Sequence, residues 1–125
     1  MRKLVFVLLL LSTPAWAEWT RVDANEDSDA YVDLATIRKR DNVANIWVLF
    51  DYKTAHQWSE LVYWSLKTQR EYDCDGKRHH TLNSLFHSER MGSGASVYNV
   101  PGGTSWGSVS PDSIDEVLWK FACRQ

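Results

Sequence analysis

One stretch in the middle of the chain restricts the fold more than any other. From Val43 to Tyr52 the side chains alternate in character. Ala44, Ile46, Val48, Phe50 and Tyr52 fall on one face, and Asn45, Trp47, Leu49 and Asp51 on the other. A repeat of two belongs to a strand, and the apolar face needs a cover. Leu61 to Cys74 repeats the pattern. Trp64, Leu66, Tyr72 and Cys74 share a face expected to be buried, with Trp64 in the core. Ser65, Lys67, Gln69, Glu71 and Asp73 share a face expected to be wet. Asp75-Gly76 is a hairpin signal, so Lys77 to Ser88 is expected to return antiparallel.

Shorter strands are expected at Trp19 to Val22, Tyr31 to Asp33, Ile37 to Arg40 and Ala95 to Val100. Leu34 to Thr36 reads as a tight turn or a single helical turn. Asp41-Asn42 reads as a reversal, because both residues tolerate a left-handed backbone. Lys53 to Glu60 reads as a polar loop carrying Trp58, and Met91 to Gly94 as another loop.

The C-terminal segment changes period. Ile114, Val117, Leu118, Phe121 and Ala122 form one apolar stripe of a helix. Ser110 is the expected N-cap, Pro111 the first helical residue, and Asp112 a complement to the helix dipole. The fold class is therefore α+β: an antiparallel β-sheet of about six strands with a C-terminal α-helix packed on it.

Two features place this domain outside the cytoplasm. Met1, Arg2 and Lys3 lead into the apolar run Leu4 to Leu11, followed by Ser12-Thr13-Pro14 and Ala15-Trp16-Ala17. That is the three-part pattern of a cleaved signal peptide over 1–17, leaving a domain at 18–125. The run is too short for a membrane span of about 20 apolar residues, so no transmembrane segment is expected. The second feature is a pair of cysteines, Cys74 and Cys123. An even count in an exported chain reads as a disulfide, which ties the helix end to the 61–74 strand. It closes a loop of about 50 residues, worth ~4 kcal/mol on chain entropy. Free or metal-binding thiols are the alternative reading. Against it, no other Cys completes a metal set.

Charge limits the partners. Losing Arg2 and Lys3 from 14 basic residues leaves 12 against 16 acidic ones, a formal charge of −4. No nucleic-acid partner is expected, since such binding needs a basic surface. Arg38-Lys39-Arg40 reads as an edge strand guarded by charge, or else as a contact for an acidic segment.

Catalytic patterns are missing. With both cysteines bridged and no G-x-S-x-G present, no nucleophile stands out. On a strand, His79 and His87 lie ~27 Å apart at ~3.4 Å per residue, and His79 and His80 face opposite ways. His80, if buried, needs a hydrogen-bonding partner. Asp23, Glu26, Asp27 and Asp29 read as a solvated acidic turn, lacking the Gly and terminal Glu of an EF-hand. The expectation is a non-enzymatic chain with no catalytic residue, cofactor or metal. Aromatics are the remaining signal. Trp47 faces away from Ile46 and Val48, Trp58 lies in a polar segment, and Tyr63 is on the wet side of Trp64. With Lys67 they form a candidate protein-binding surface, because aromatics dominate interface hot spots. The other reading has Trp47 packed under a loop or against a second copy in a homodimer.

The order of motifs resembles a known family. It runs W-x-x-V (Trp19, Val22), Y-x-D-x-x-x-I (Tyr31, Asp33, Ile37) and V-x-x-x-W-x-L-x-D-Y (Val43, Trp47, Leu49, Asp51, Tyr52). S-x-K (Ser65, Lys67), E-Y-D-C (Glu71 to Cys74), M-G-x-G (Met91, Gly92, Gly94), Trp106 before Ser110-Pro111, and a terminal Cys123 follow. This looks like the surface-adhesin protein E family of Gram-negative bacteria. The resemblance implies a sheet with a disulfide-tethered helix, and binding of host extracellular-matrix or serum proteins such as vitronectin or laminin. The founding adhesin is a lipoprotein, whereas this chain has no lipobox Cys. Periplasmic or secreted localisation is therefore expected ahead of the cell surface. There the same sheet would serve as an envelope-complex subunit or an inhibitor.

Overall fold

The computed structural model describes residues 18–124, and the signal segment expected at 1–17 lies outside them. The strands are β1 (Thr20–Ala24), β2 (Ser28–Val32), β3 (Arg38–Arg40), β4 (Val43–Trp58), β5 (Leu61–Asp73), β6 (Arg78–His87), β7 (Ser96–Pro101) and β8 (Gly107–Ser108). They form one antiparallel sheet. The main path runs β1-β2-β4-β5-β6-β7, with β3 added beside β4 and β8 beside β6. The six strands of that path are the expected meander. Among the described residues a single α-helix, α1 (Ile114–Cys123), crosses one side, and Cys74 is bonded to Cys123.

The alternation in β4 decides which side the helix takes. Ala44, Ile46 and Val48 are buried with Val32, Tyr72, Val109, Leu118 and Ala122. This is the helix face. Leu118 is fully buried there, and truncating such a leucine to alanine costs about 3 kcal/mol. The opposite face is not left open. Residues 88–94 fold back over it as a strap with a 3-10 turn at Arg90–Gly92. Asp51 of β4 accepts from Arg90 Nη2 at 2.6 Å and from the Met91 N–H at 2.7 Å. Ser65 of β5 donates to Glu89 O at 2.6 Å and accepts from the Gly92 N–H at 2.8 Å. Ser65 is thus wholly buried, against the expectation of a wet 65–73 face.

Several boundaries differ from those expected, each for a local reason. β4 does not end at Tyr52 but runs to Trp58, so 53–58 is strand and not loop. A register shift between Asp51 and His56 takes up the extra residues, and the strand resumes pairing as His56↔Tyr63 and Trp58↔Leu61. Such bulges bend the strand they lengthen. The helix starts three residues later than Ser110 suggests. Ser113 is the N-cap, accepting from the Glu116 N–H at 3.1 Å, and Glu116 accepts from the Asp112 N–H at 3.1 Å. That is close to a capping box, a stronger signal than a Ser-Pro start. The 73–78 turn falls at Asp75-Gly76, yet Lys77 takes the left-handed backbone (φ 52°) in place of the glycine. Asp73 instead accepts from the Asp75 and Gly76 N–H groups. The Asp41 reversal and the Leu34–Thr36 helical turn are as expected.

Candidate functional site

The long β4–β5 hairpin carries its tip well past the helix. On the helix face, beyond the helix itself, six rings gather. Tyr63 meets Phe86 edge-on at 4.8 Å between centroids, and Tyr52 at 5.7 Å. Trp58 meets Tyr98 edge-on at 4.8 Å and lies 6.2 Å from Phe86. His56 packs on Tyr52 at 4.0 Å. Edge-to-face contacts at these distances hold rings in fixed orientations. Trp58 remains 50 % exposed, Tyr98 39 % and Val100 38 %. Tyr98 and Val100 belong to β7, an edge strand opposite Phe86 and Ser84 of β6. An exposed aromatic patch therefore lies beside an open strand edge.

Electrostatics at the patch favour the neutral form of Tyr52. Burial, with Tyr63 and Asp27 nearby, pushes the Tyr52 phenol up to about 12. His56 Nε2 is 3.0 Å from Asp27 Oδ1, so the acidic turn is partly tied to the hairpin. Asp29 likewise pairs with Arg21 at 3.2 Å.

The four candidate residues divide between the two faces. Trp58 and Tyr63 join the aromatic patch. Trp47 and Lys67 lie on the strap face, where Trp47 pairs with Gln69 and Lys67 with Leu49. The division follows from the Asp51/His56 shift and the bend it introduces, which turn Tyr63 towards Phe86. Trp64 goes the other way. It is half-buried and borders a cavity of about 460 Å³ with Ser88, Glu89, Arg90 and Ser93, so it is not a core residue. Phe86, Tyr98 and Tyr52 were not among the candidates. Their contribution depends on strand neighbours far apart in sequence.

Between helix and sheet lies a polar network. Asp115 of α1 accepts from Arg70 and from Tyr72 Oη, and His79 Nε2 lies 3.5 Å away. Arg70 also stacks over Phe50, 5.1 Å from its centroid. Burial alone would lower the Arg70 pKa, but Tyr72 and Asp115 outweigh it and raise it. Burial also raises Tyr72 strongly. His80, on the other face, bonds Glu71 at 2.8 Å, the partner a half-buried histidine needs. Among the described residues no three His, Cys, Asp or Glu side chains are grouped to hold a metal ion. No described helix is long and apolar enough to cross a membrane.

Similar proteins add a family to this geometry. The chain is similar in fold to Haemophilus influenzae protein E, at 14 % identity and TM-score 0.65, over 90 % of this chain and 88 % of that one. Another crystal form of protein E aligns at 13 % identity and TM-score 0.66, over 90 % and 91 % of the two chains. Protein E from non-typeable Haemophilus influenzae aligns at 12 % and 0.62, over 90 % and 79 %. No curated protein sequence matches the chain. The profile described as surface-adhesin protein E matches residues 19–124, nearly the whole described domain. The chain belongs to the surface-adhesin protein E family.

Proposed function

We propose that this chain is an exported, non-enzymatic binding module that grips a protein partner with the aromatic patch at the β4–β5 tip. The observation that carries this reading is Trp58, half exposed and held rigidly against Tyr98 and Phe86. A pre-ordered tryptophan offers large contact area with little entropy left to lose on binding. The bare edge of β7 beside it offers backbone hydrogen bonds to an extended segment of the partner. The family resemblance directs the first trial to host matrix and serum proteins. Residues 18–125 are passed over immobilised vitronectin and laminin. Saturable binding that Trp58→Ala weakens at least tenfold supports the reading. Absence of a saturable signal on both surfaces sinks the host-ligand form of it.

A second placement is the periplasm, where the same patch and strand edge would meet an envelope protein as the partner. Fractionation separates the two. Protease-accessible chain on intact cells supports host contact, and release by osmotic shock supports the periplasmic partner.

A further inference from the structure

On the strap face, away from the strap, a groove of about 760 Å³ crosses the sheet. Asn45, Gln69 and Glu71 make its floor polar, and Asn83, outside the groove, helps to hold the amides in place. Gln69 Nε2 donates to Asn45 Oδ1 at 3.2 Å, and Asn83 Nδ2 donates to Gln69 Oε1 at 3.0 Å. Three amides on three adjacent strands thus form one ladder, which fixes the orientation of each. One rim is cationic. Arg38 and Arg40 of β3 stand opposite Asn45 and Val43. The far rim is Trp106, 37 % exposed, stacked on His80 at 4.0 Å with Arg78 over its ring. Glu71 lies between, tied to His80 through one carboxylate oxygen.

We propose that this groove binds an anionic saccharide, a short oligosaccharide bearing carboxylate or sulfate groups. Three features select that chemistry. The guanidinium groups of Arg38 and Arg40 suit an anionic group at one end, where paired donors match its oxygens. The amide ladder and Glu71 present donors and acceptors side by side, which suits vicinal hydroxyls, themselves both donor and acceptor. An acidic peptide, which has no vicinal hydroxyls, leaves the amide ladder unmatched and sets its charge against Glu71 in the floor and Asp41 in the lining. Trp106, with Arg78 over its ring, supplies a partly apolar rim across from Arg38 and Arg40, where ring C–H groups are accommodated. From β3 to β5 the floor spans about 10 Å at the usual strand spacing, a length that takes more than one sugar ring.

The test uses residues 18–125 and three probes, followed by tryptophan fluorescence and calorimetry. They are a heparin oligosaccharide, an oligogalacturonate and neutral dextran. Saturable binding of either charged probe, with none for dextran, is expected. The stronger of the two identifies the anion as sulfate or carboxylate, which distinguishes a glycosaminoglycan-like source from a uronate-rich envelope polymer. Arg40→Ala, on an exposed edge strand where folding is safe, is expected to weaken binding about tenfold, the effect of one lost charged hydrogen bond. Arg40→Lys is expected to recover only part of that. Gln69→Ala is expected to weaken binding at unchanged net charge. Trp58→Ala, on the opposite face, is expected to leave it unchanged, so this site and the aromatic patch fail independently. Failure of both charged probes to bind, or binding indifferent to Arg40→Ala and Gln69→Ala, overturns the proposal.

Discussion

Asp51 holds Arg90: the buried carboxylate of the central strand takes Nη2 at 2.6 Å and Nε at 3.1 Å, and its other oxygen takes the Met91 N–H. One side chain thus fastens a strap to a sheet face that its sequence neighbours Leu49 and Trp47 would leave partly apolar. Asp51→Ala strands the Met91 N–H against the sheet and is expected to destabilise the domain by about 2 kcal/mol. Urea unfolding measures the loss. Limited proteolysis is expected to cut first within 88–94, and an unchanged cleavage pattern would count against the latch.

The helix depends on its tether. Cys74 and Cys123 lie 49 residues apart, for which chain entropy gives ~4 kcal/mol. The double substitution to serine is expected to lower the melting temperature markedly. Amides of Leu118 and Ala122 are expected to exchange hydrogen faster than those of β4, because the sheet retains its own ladder. Equal acceleration in β4 and α1 would show that helix and sheet unfold as one.

Arg70 relies on Asp115 across the helix–sheet boundary. Asp115→Ala leaves a largely buried guanidinium without its anion, and about 3 kcal/mol of stability is expected to go. Replacing Arg70 with Met in the same chain is expected to restore part of it, since an apolar chain there needs no counter-charge. Thermal melts of the single and double variants check this, and no recovery in the double variant would refute it.

His87 makes stability depend on pH. Burial, then the nearby Lys67 charge, lowers its pKa below the ordinary 6.5. Its folded-state preference is therefore for the neutral form, which donates through Nδ1 to Gly94 O at 3.3 Å. That stability is present above the unfolded pKa of 6.5 and is lost as pH falls from there through the depressed folded value. His87→Gln is expected to flatten the loss of stability between neutral pH and the carboxylate range, as read by denaturant midpoints. Asp73, lowered by the Gly76 N–H and then Arg78, and Glu116, lowered by Lys77 and then the Asp112 N–H, add losses only at more acidic pH. An unaltered slope in the His87 variant would assign the acid sensitivity to those carboxylates.

Local patterns in the chain determined a good deal. The period-two faces of Val43 to Tyr52, the reversal at Asp41, the helical stripe through Leu118 and Ala122, and the pairing of two cysteines are all properties of near neighbours or of a count. Solvent exposure and backbone sterics act on them wherever the chain goes. The Ser113–Glu116 cap was equally local, and Ser110-Pro111 obscured it. Tertiary structure alone decided the rest. Whether Ser65 is wet depends on a strap arriving from residues 88–94. Whether Tyr63 faces Phe86 depends on the register shift between Asp51 and His56. The ladder Asn45–Gln69–Asn83 exists only once β4, β5 and β6 are aligned. The physical reason is that alternation assigns a side chain to a face and is silent about what else covers that face. A pairing slip of one residue, or a loop folding back, is a long-range event set by the packing of the whole sheet.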